Sequence, residues 1–225
     1  MKKIISVFCT MILASSYANA KDGFFAGIDI NRSHARHTIS EQAIPGIGDY
    51  TSSTAFPENK TSARNIGLGI NYGHKKTVLN NLTISPELFF DQLNNRAKDP
   101  YANNGSLSVY DQDVMILRYR YGAKLNAGMI FAKKFNLFAS AGLSYINYTI
   151  QWNSNIATAD NVGQHSYSGK KLAPIYGIGL SYDITDNVFI KTTYDHQSFN
   201  IRYNLDGWRS KVNLNVFKIG LGYSF

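Results

Sequence analysis

The chain has 225 residues, with 23 Lys and Arg against 15 Asp and Glu, five His and one Cys, for a formal net charge of +8 at pH 7. A single cysteine excludes a disulfide framework, and the basic balance speaks to acidic partners rather than to fold. No stretch after the N-terminus reaches the ~18 consecutive apolar residues that a membrane helix needs, so a membrane-spanning chain would have to be a closed β-barrel.

The first element is "MKKIISVFCTMILASSYANA", residues 1–20. Lys2 and Lys3 precede an apolar stretch from Ile4 to about Ala14, and small residues end at Ala20, as in a cleaved secretory signal peptide. Cys9 lies inside it behind Phe8, which is too large for a lipoprotein signal. The expected mature chain, 21–225, has no cysteine. Without Lys2 and Lys3 its formal charge is about +6. Export, and the lack of a clustered Lys/Arg run, argue against a nucleic-acid partner.

Eight runs of alternating apolar and polar residues follow, the period of β-strands. The first sets Phe24, Ala26, Ile28 and Ile30 against Asp29 and Asn31, and the second Ile66, Leu68, Ile70 and Tyr72 against Gly67, Gly69 and Asn71. In the third, Leu82, Ile84, Pro86, Leu88 and Phe90 oppose Glu87, Phe89 and Asp91. The fourth places Met115, Leu117, Tyr119, Tyr121, Ala123 and Leu125 on one side and Arg118, Arg120 and Lys124 on the other. Phe135 to Tyr145, Leu172 to Tyr182 and Val188 to Tyr194 continue the pattern. The last run is "FKIGLGYSF", with Phe217, Ile219, Leu221, Tyr223 and Phe225 on its apolar side and Lys218 on the other.

The connections alternate too. Those after odd-numbered runs are long, about 34–62, 93–112, 153–170 and 197–211, and rich in Asn, Ser, Thr, Asp and Gly. Those after even-numbered runs are short, such as "IFAKK" and "DITDN". Short periplasmic turns and longer extracellular loops are the asymmetry of outer-membrane barrels. The expected fold is an all-β, eight-stranded, antiparallel up-and-down transmembrane barrel, with hydrocarbon outside and charge inside. Isolated buried ions are costly, so the interior charges should pair: Asp29 with Lys218 where the barrel closes, Glu87 with Lys124, and Asp91 with Arg118 or Arg120. Such pairs make a salt-bridged plug rather than an ion gate, and eight strands leave no wide channel. Pro86 and Pro174, on the apolar side, each remove a ladder hydrogen bond and predict a local bulge.

The signal peptide, the eight runs, the sorted connections and the terminal Phe resemble the small eight-stranded outer-membrane barrels of the OmpA/OmpX and opacity-protein type. That resemblance implies residence in the bacterial outer membrane among lipid and lipopolysaccharide. It also implies that Phe217, Ile219, Leu221, Tyr223 and Phe225 are the strand signal read by the barrel-assembly machinery. It fixes architecture more than activity.

Function should therefore sit outside the barrel wall. The leading expectation is a non-enzymatic structural or adhesive surface protein that meets host or matrix ligands through its loops. Arg202, Tyr203, Trp208, Arg209 and Lys211 in the fourth connection mix aromatics and cations as binding hot spots do. The same cations also suit lipopolysaccharide phosphates. A small pore is one alternative. Another is an enzyme: "YDHQSFN" sets His196 and Ser198 two apart on one face, similar to the His-x-Ser pair of the PagL-type lipid A deacylases. There a Glu orients the His. This chain has no Glu after Glu87, leaving Asp195 or Asp206 for that role. Prolines in barrels resembling the palmitoyltransferase PagP mark seams that admit lipid sideways. No cofactor is expected, and His34 and His37, read as loop residues without a third ligand, give no metal site.

Overall fold

A computed structural model describes residues 22–40, 59–79, 81–98, 110–132, 134–154, 163–202 and 209–225. The segment read as a signal peptide lies outside the described residues. Eight strands form one closed antiparallel barrel in sequence order. They are β1 (Gly23–Ser40), β2 (Asn59–Leu79), β3 (Leu82–Lys98), β4 (Tyr110–Phe131), β5 (Phe135–Ser154), β6 (Gly163–Asp183), β7 (Val188–Arg202) and β8 (Arg209–Ser224). The last closes on the first from Phe25↔Ser224 to Ser40↔Arg209.

The strands run 15 to 22 residues, well beyond the ~9–11 needed to cross a bilayer. They extend into every segment read as a long connection: β1 to Ser40, β3 to Lys98, β5 to Ser154 and β7 to Arg202. His34 and His37 accordingly lie on β1, on opposite faces, and not in a loop.

The half nearer the short turns carries the expected pattern. Ile28, Ile70, Leu88, Leu125, Leu143, Ile178 and Leu221 are all more than half exposed on the outside. Aromatic rings border this apolar band. At the short-turn end Phe24 stacks on Tyr72 (5.9 Å) and Phe225 (6.5 Å), and Phe225 N donates to Phe24 O (2.9 Å). At the far edge Phe90, Tyr119, Tyr121 and Tyr145 form a stacked row across β3, β4 and β5. Tyrosine at such a boundary keeps its ring in an apolar layer and its hydroxyl wet.

In the other half the pattern is inside out. Ala35, Leu93, Met115, Leu117, Ile146, Tyr148, Ile150, Ala173, Phe199, Ile201, Val212, Leu214 and Val216 make one buried apolar cluster within the barrel. Arg32, Arg36, Arg64, Arg96, Lys98, Lys170 and Lys211 are exposed outside it. Strand alternation continues without a break, but apolar residues now occupy the inner positions. That reversal ends the sequence signal early, which is why the long connections read too long.

The backbone ladders divide at the same level. The β2–β3 pairing stops at Gly69↔Asp91 and the β6–β7 pairing at Tyr176↔His196. The β1–β2, β3–β4, β5–β6 and β7–β8 pairings continue upward. Above that level the barrel becomes two four-stranded sheets, β7–β8–β1–β2 and β3–β4–β5–β6, packed face to face on the apolar cluster. Side chains stitch the two seams. Asn65 Nδ2 donates to Leu93 O (2.8 Å), and Gln197 Nε2 donates to Ser144 Oγ (2.6 Å).

Two expectations need correction. Arg118 does not face the interior: a register shift between Leu117 and Tyr119 against β5 leaves it bulged and exposed, and brings Met115 and Leu117 inside. A matching irregularity on β3 between Gln92 and Asn95 includes Asn94, at φ 48°, a left-handed conformation that Asn tolerates better than most residues. The prolines themselves carry no bulge. Leu125↔Pro86 and Leu143↔Pro174 are regular pairs. Each proline instead marks a break in the ladder on its other side. The β2–β3 pairing skips from Gly73↔Glu87 to Lys76↔Ile84, and β6–β7 pairing ends below Pro174.

Candidate functional site

The centre of the barrel is built from inward positions of five strands, β1, β3, β4, β7 and β8, at the level where polarity reverses. Four carboxylates (Asp29, Glu87, Asp91, Asp195) meet four cations (Arg120, Lys124, Lys191, Lys218). Arg120 is the hub and its side chain is fully buried. Its Nε donates to Asp91 and its Nη2 to Asp195, both at 2.8 Å, while Nη1 donates to Gln197 Oε1 at 2.7 Å. A planar guanidinium can serve three partners in fixed directions, which an ammonium does less well.

The lysines fill the remaining places. Lys124 Nζ donates to Asp195 (3.3 Å) and lies 3.8 Å from Glu87. Lys191 reaches Glu87 at 3.1 Å, and Asn126 Nδ2 also donates to Glu87 (2.7 Å). Lys218 Nζ sits 2.5 Å from Asp91 and 3.9 Å from Asp29. The register explains the difference, since Lys218 stands opposite Asn31 and Asp29 opposite Gly220. Asp29 receives its closer bond from Asn71 Nδ2 (3.1 Å). Gly69 faces both Asp29 and Asp91, and a Cβ there would collide with their carboxylate oxygens.

The alternation also puts Lys191, Asp195, Asn71, Asn126 and Phe89 on the inner face but assigns them no partners, and Gln197 falls at the start of the segment read as a long connection. The Phe89 ring has Lys218, Arg120 and Lys124 within 5.1, 5.3 and 5.5 Å of its centroid, the range of cation–π attraction. A polar, strand-interior Asn or Gln and a Phe on the charged side were the available signals. With four charges of each sign in mutual contact, the network is electrically balanced. A cavity of about 10 Å³ lies beside Asp29, Lys191, Thr193 and Lys218, on the order of one water molecule. Above the network the apolar cluster closes the tube, and near the short turns Phe25 packs edge-on against Phe189 (5.8 Å).

The outer candidates are distributed differently. His196 and Ser198 are both exposed on β7, and His196 Nδ1 donates to Asn215 Oδ1 on β8 (2.7 Å). Asp195 points inward to Arg120 and Lys124 and does not orient His196. Asp206, Tyr203 and Trp208 lie outside the described residues. Arg202 and Arg209 pair through their backbones at the top of β7 and β8, and Lys211 is exposed. Phe217, Ile219, Leu221 and Tyr223 are exposed on the apolar band. Among the described residues no group of three or more His, Cys, Asp or Glu could hold a metal ion.

The family profile described as outer membrane protein beta-barrel domain matches residues 5–225. No curated protein sequence matches significantly. Among solved structures, the chain is similar to the outer membrane protein OprG from Pseudomonas aeruginosa, at 13% identity and TM-score 0.52, covering 91% of this chain and 97% of that one. It is also similar to AlkL, determined by solid-state NMR in lipid bilayers, at 14% identity and TM-score 0.51, with 94% of each chain covered. The attachment invasion locus protein Ail of Yersinia pestis aligns at 14% identity and TM-score 0.41 over 89% of this chain and 99% of that one. At these identities the structural likenesses speak to fold alone. A closed eight-stranded barrel with an apolar outer band, matched along almost its whole length by the profile, belongs to the outer membrane protein beta-barrel family and resides in the bacterial outer membrane.

Proposed function

We propose that the protein is a non-enzymatic surface protein, structural and adhesive through its extracellular end. The observation that carries this reading is the filled interior. Among the described residues, the balanced ion network, the cation-capped Phe89 and the apolar cluster above them fill the interior. Chemistry available to a partner is then displayed on the outer wall and the loops, on a platform whose own core makes it stiff. Host-cell and matrix binding should fall in cells lacking the protein, and in cells whose segments 41–58, 99–109, 155–162 and 203–208 are trimmed. Unchanged binding in both removes the adhesive role. Planar bilayers containing the folded barrel should show no discrete conductance.

One observation favours a second reading, a lipid A deacylase. Asn215 fixes the His196 ring through Nδ1, so that Nε2 is left to act as base for Ser198, with Asn in the place of the missing acid. Mass spectrometry of lipid A from cells with the wild-type protein and with Ser198→Ala decides it. Identical acyl patterns dispose of the enzyme.

A further inference from the structure

We propose that the extracellular half of the barrel is acid-sensitive: protonation of His37, sealed between the two upper sheets, loosens their packing while the membrane half stays closed. The device is independent of what the surface binds. Its position follows from register. Across the inner face of the β7–β8–β1–β2 sheet, Thr61, His37, Val212 and Phe199 stand in one row. His37 is 1% exposed, and among the described residues neither of its ring nitrogens has a hydrogen-bond partner. Burying an unpaired polar group costs free energy that a Leu or Phe filling the same space would not. What sets His37 apart from such a residue is that it can take a proton near neutral pH.

Once protonated, His37 finds no counter-ion in its surroundings. Among the described inward positions above the ion network, the other titratable groups are Tyr148 on β5 and Tyr167 and Lys171 on β6, all in the opposite sheet. The two phenols are neutral in acid, and the third group is itself a cation. On the outer side of the same sheet Arg36, Lys60, Arg64 and Lys211 are exposed cations. No Asp or Glu occurs in 32–38, 60–66, 92–98, 114–119, 145–151, 163–175, 196–201 or 210–217. Asp111 and Asp113 lie at the outer end of β4, in the opposite sheet. Burial alone holds the imidazole from its usual 6.5 down to about 4. The closed form therefore binds the proton more weakly than an opened form in which the ring meets water. Closure is fully favoured above about pH 6.5 and weakens about tenfold per unit as pH falls from there to about 4.

The split barrel confines the response. His37 is thirteen residues above Phe24 on β1, roughly 34 Å vertically at the ~40° tilt of outer-membrane barrels and so beyond their ~25 Å apolar band. At its level no backbone ladder joins the two upper sheets, because β2–β3 pairing stops at Gly69↔Asp91 and β6–β7 pairing at Tyr176↔His196. The bonds that stitch the seams, from Asn65 to Leu93 O and from Gln197 to Ser144, start in rows below His37. Separating the sheets around His37 thus breaks apolar packing and no ladder. In the membrane half the strands pair edge to edge around the whole wall, so an opening there would break backbone hydrogen bonds in lipid.

The test uses the full-length processed protein in lipid nanodiscs. Amide hydrogen exchange is read by mass spectrometry at pH 7 and pH 5 and corrected for the intrinsic pH dependence of exchange. Protection of residues 35–38 and 212–214 should be roughly twentyfold lower at pH 5, the ratio that the values 6.5 and about 4 set. Protection of residues 28–30 and 219–221, lower on the same two strands, should hold within about twofold. His37→Leu and His37→Gln cannot take a proton, and each should flatten the response of the upper segments. Heat-modifiable migration shows which of them is folded. His34→Gln and His196→Gln, changes on the outer wall, should keep the response. Equal protection at the two pH values in the wild type overturns the proposal, as does a parallel fall in the lower segments. An undiminished fall in either His37 variant that folds overturns it too.

Discussion

On β8, Lys218 and Gly220 face inward while Phe217 and Ile219 meet lipid; a few residues earlier, Leu214 and Val216 face inward while Asn213 and Asn215 face outward. One strand with one unbroken alternation thus serves two solvents. In the membrane half, hydrocarbon outside costs nothing because lipid is as apolar as the side chains, and polar groups inside are tolerated because every charge has a partner. In the extracellular half, water is outside, so stability comes from burying apolar side chains, as in a soluble sandwich. The membrane half is held by backbone closure and ion pairing, and the extracellular half by packing. The two sheets need no continuous ladder because the apolar core joins them.

The largest effect expected from this division is at Arg120. Arg120→Leu leaves Asp91 and Asp195 without their shared cation and should cost about 3–5 kcal/mol, read as a lower urea midpoint for the barrel refolded in lipid. Truncation of packed residues comes next: Leu214→Ala, in the extracellular core, should cost about 2–5 kcal/mol. Leu221→Ala, on the lipid face of the same strand, should cost under about 1 kcal/mol, because hydrocarbon surrounds that position. Equal losses at Leu214 and Leu221 would erase the distinction between the halves. Smaller again is the closing pair. Lys218→Ala should lower the temperature at which the folded gel band disappears more than Asp29→Ala does, since Lys218 bonds Asp91 more closely. If neither change moves that temperature, these charges do not secure closure. The smallest change is Pro174→Ala, which restores an N–H at the top of the β6–β7 ladder and should slow hydrogen exchange only around Tyr176 and Gln197.

The architecture was readable because lipid-facing strands impose a period of two that no helix imitates. The charged interior was readable as a set of residues, since Asp29, Glu87, Asp91, Arg120, Lys124, Lys191, Asp195 and Lys218 all sit opposite apolar neighbours. Which partner lies closest was not readable: Lys218 sits nearer Asp91 than Asp29, and Lys191 nearer Glu87 than Lys124 does. Strand stagger, two positions between Asp29 and Lys218, depends on tilt and shear, which alternation does not encode. Arg118 escaped for a related reason: a bulge shifts the phase of β4 by one residue, and composition gives no sign of it. The extracellular core was hidden because its outward residues are Asn, Ser, Arg and Lys, the vocabulary of loops. Yet a trace remains where two apolar residues stand side by side, as at Val216–Phe217 and Tyr145–Ile146. Each doublet is the point at which the strand passes from one solvent to the other.

Those doublets also act as a waterline. Sinking the barrel by two residues of strand, about 5 Å of depth, would draw Asn215, His34 and Arg64 toward hydrocarbon. Raising it by the same amount would expose Phe217 and Tyr145 to water. Because the reversal occurs at nearly one level around the wall, either displacement is opposed by many side chains together. The height at which this protein floats in its membrane, and hence how far its surface reaches beyond it, is written into where each strand changes solvent.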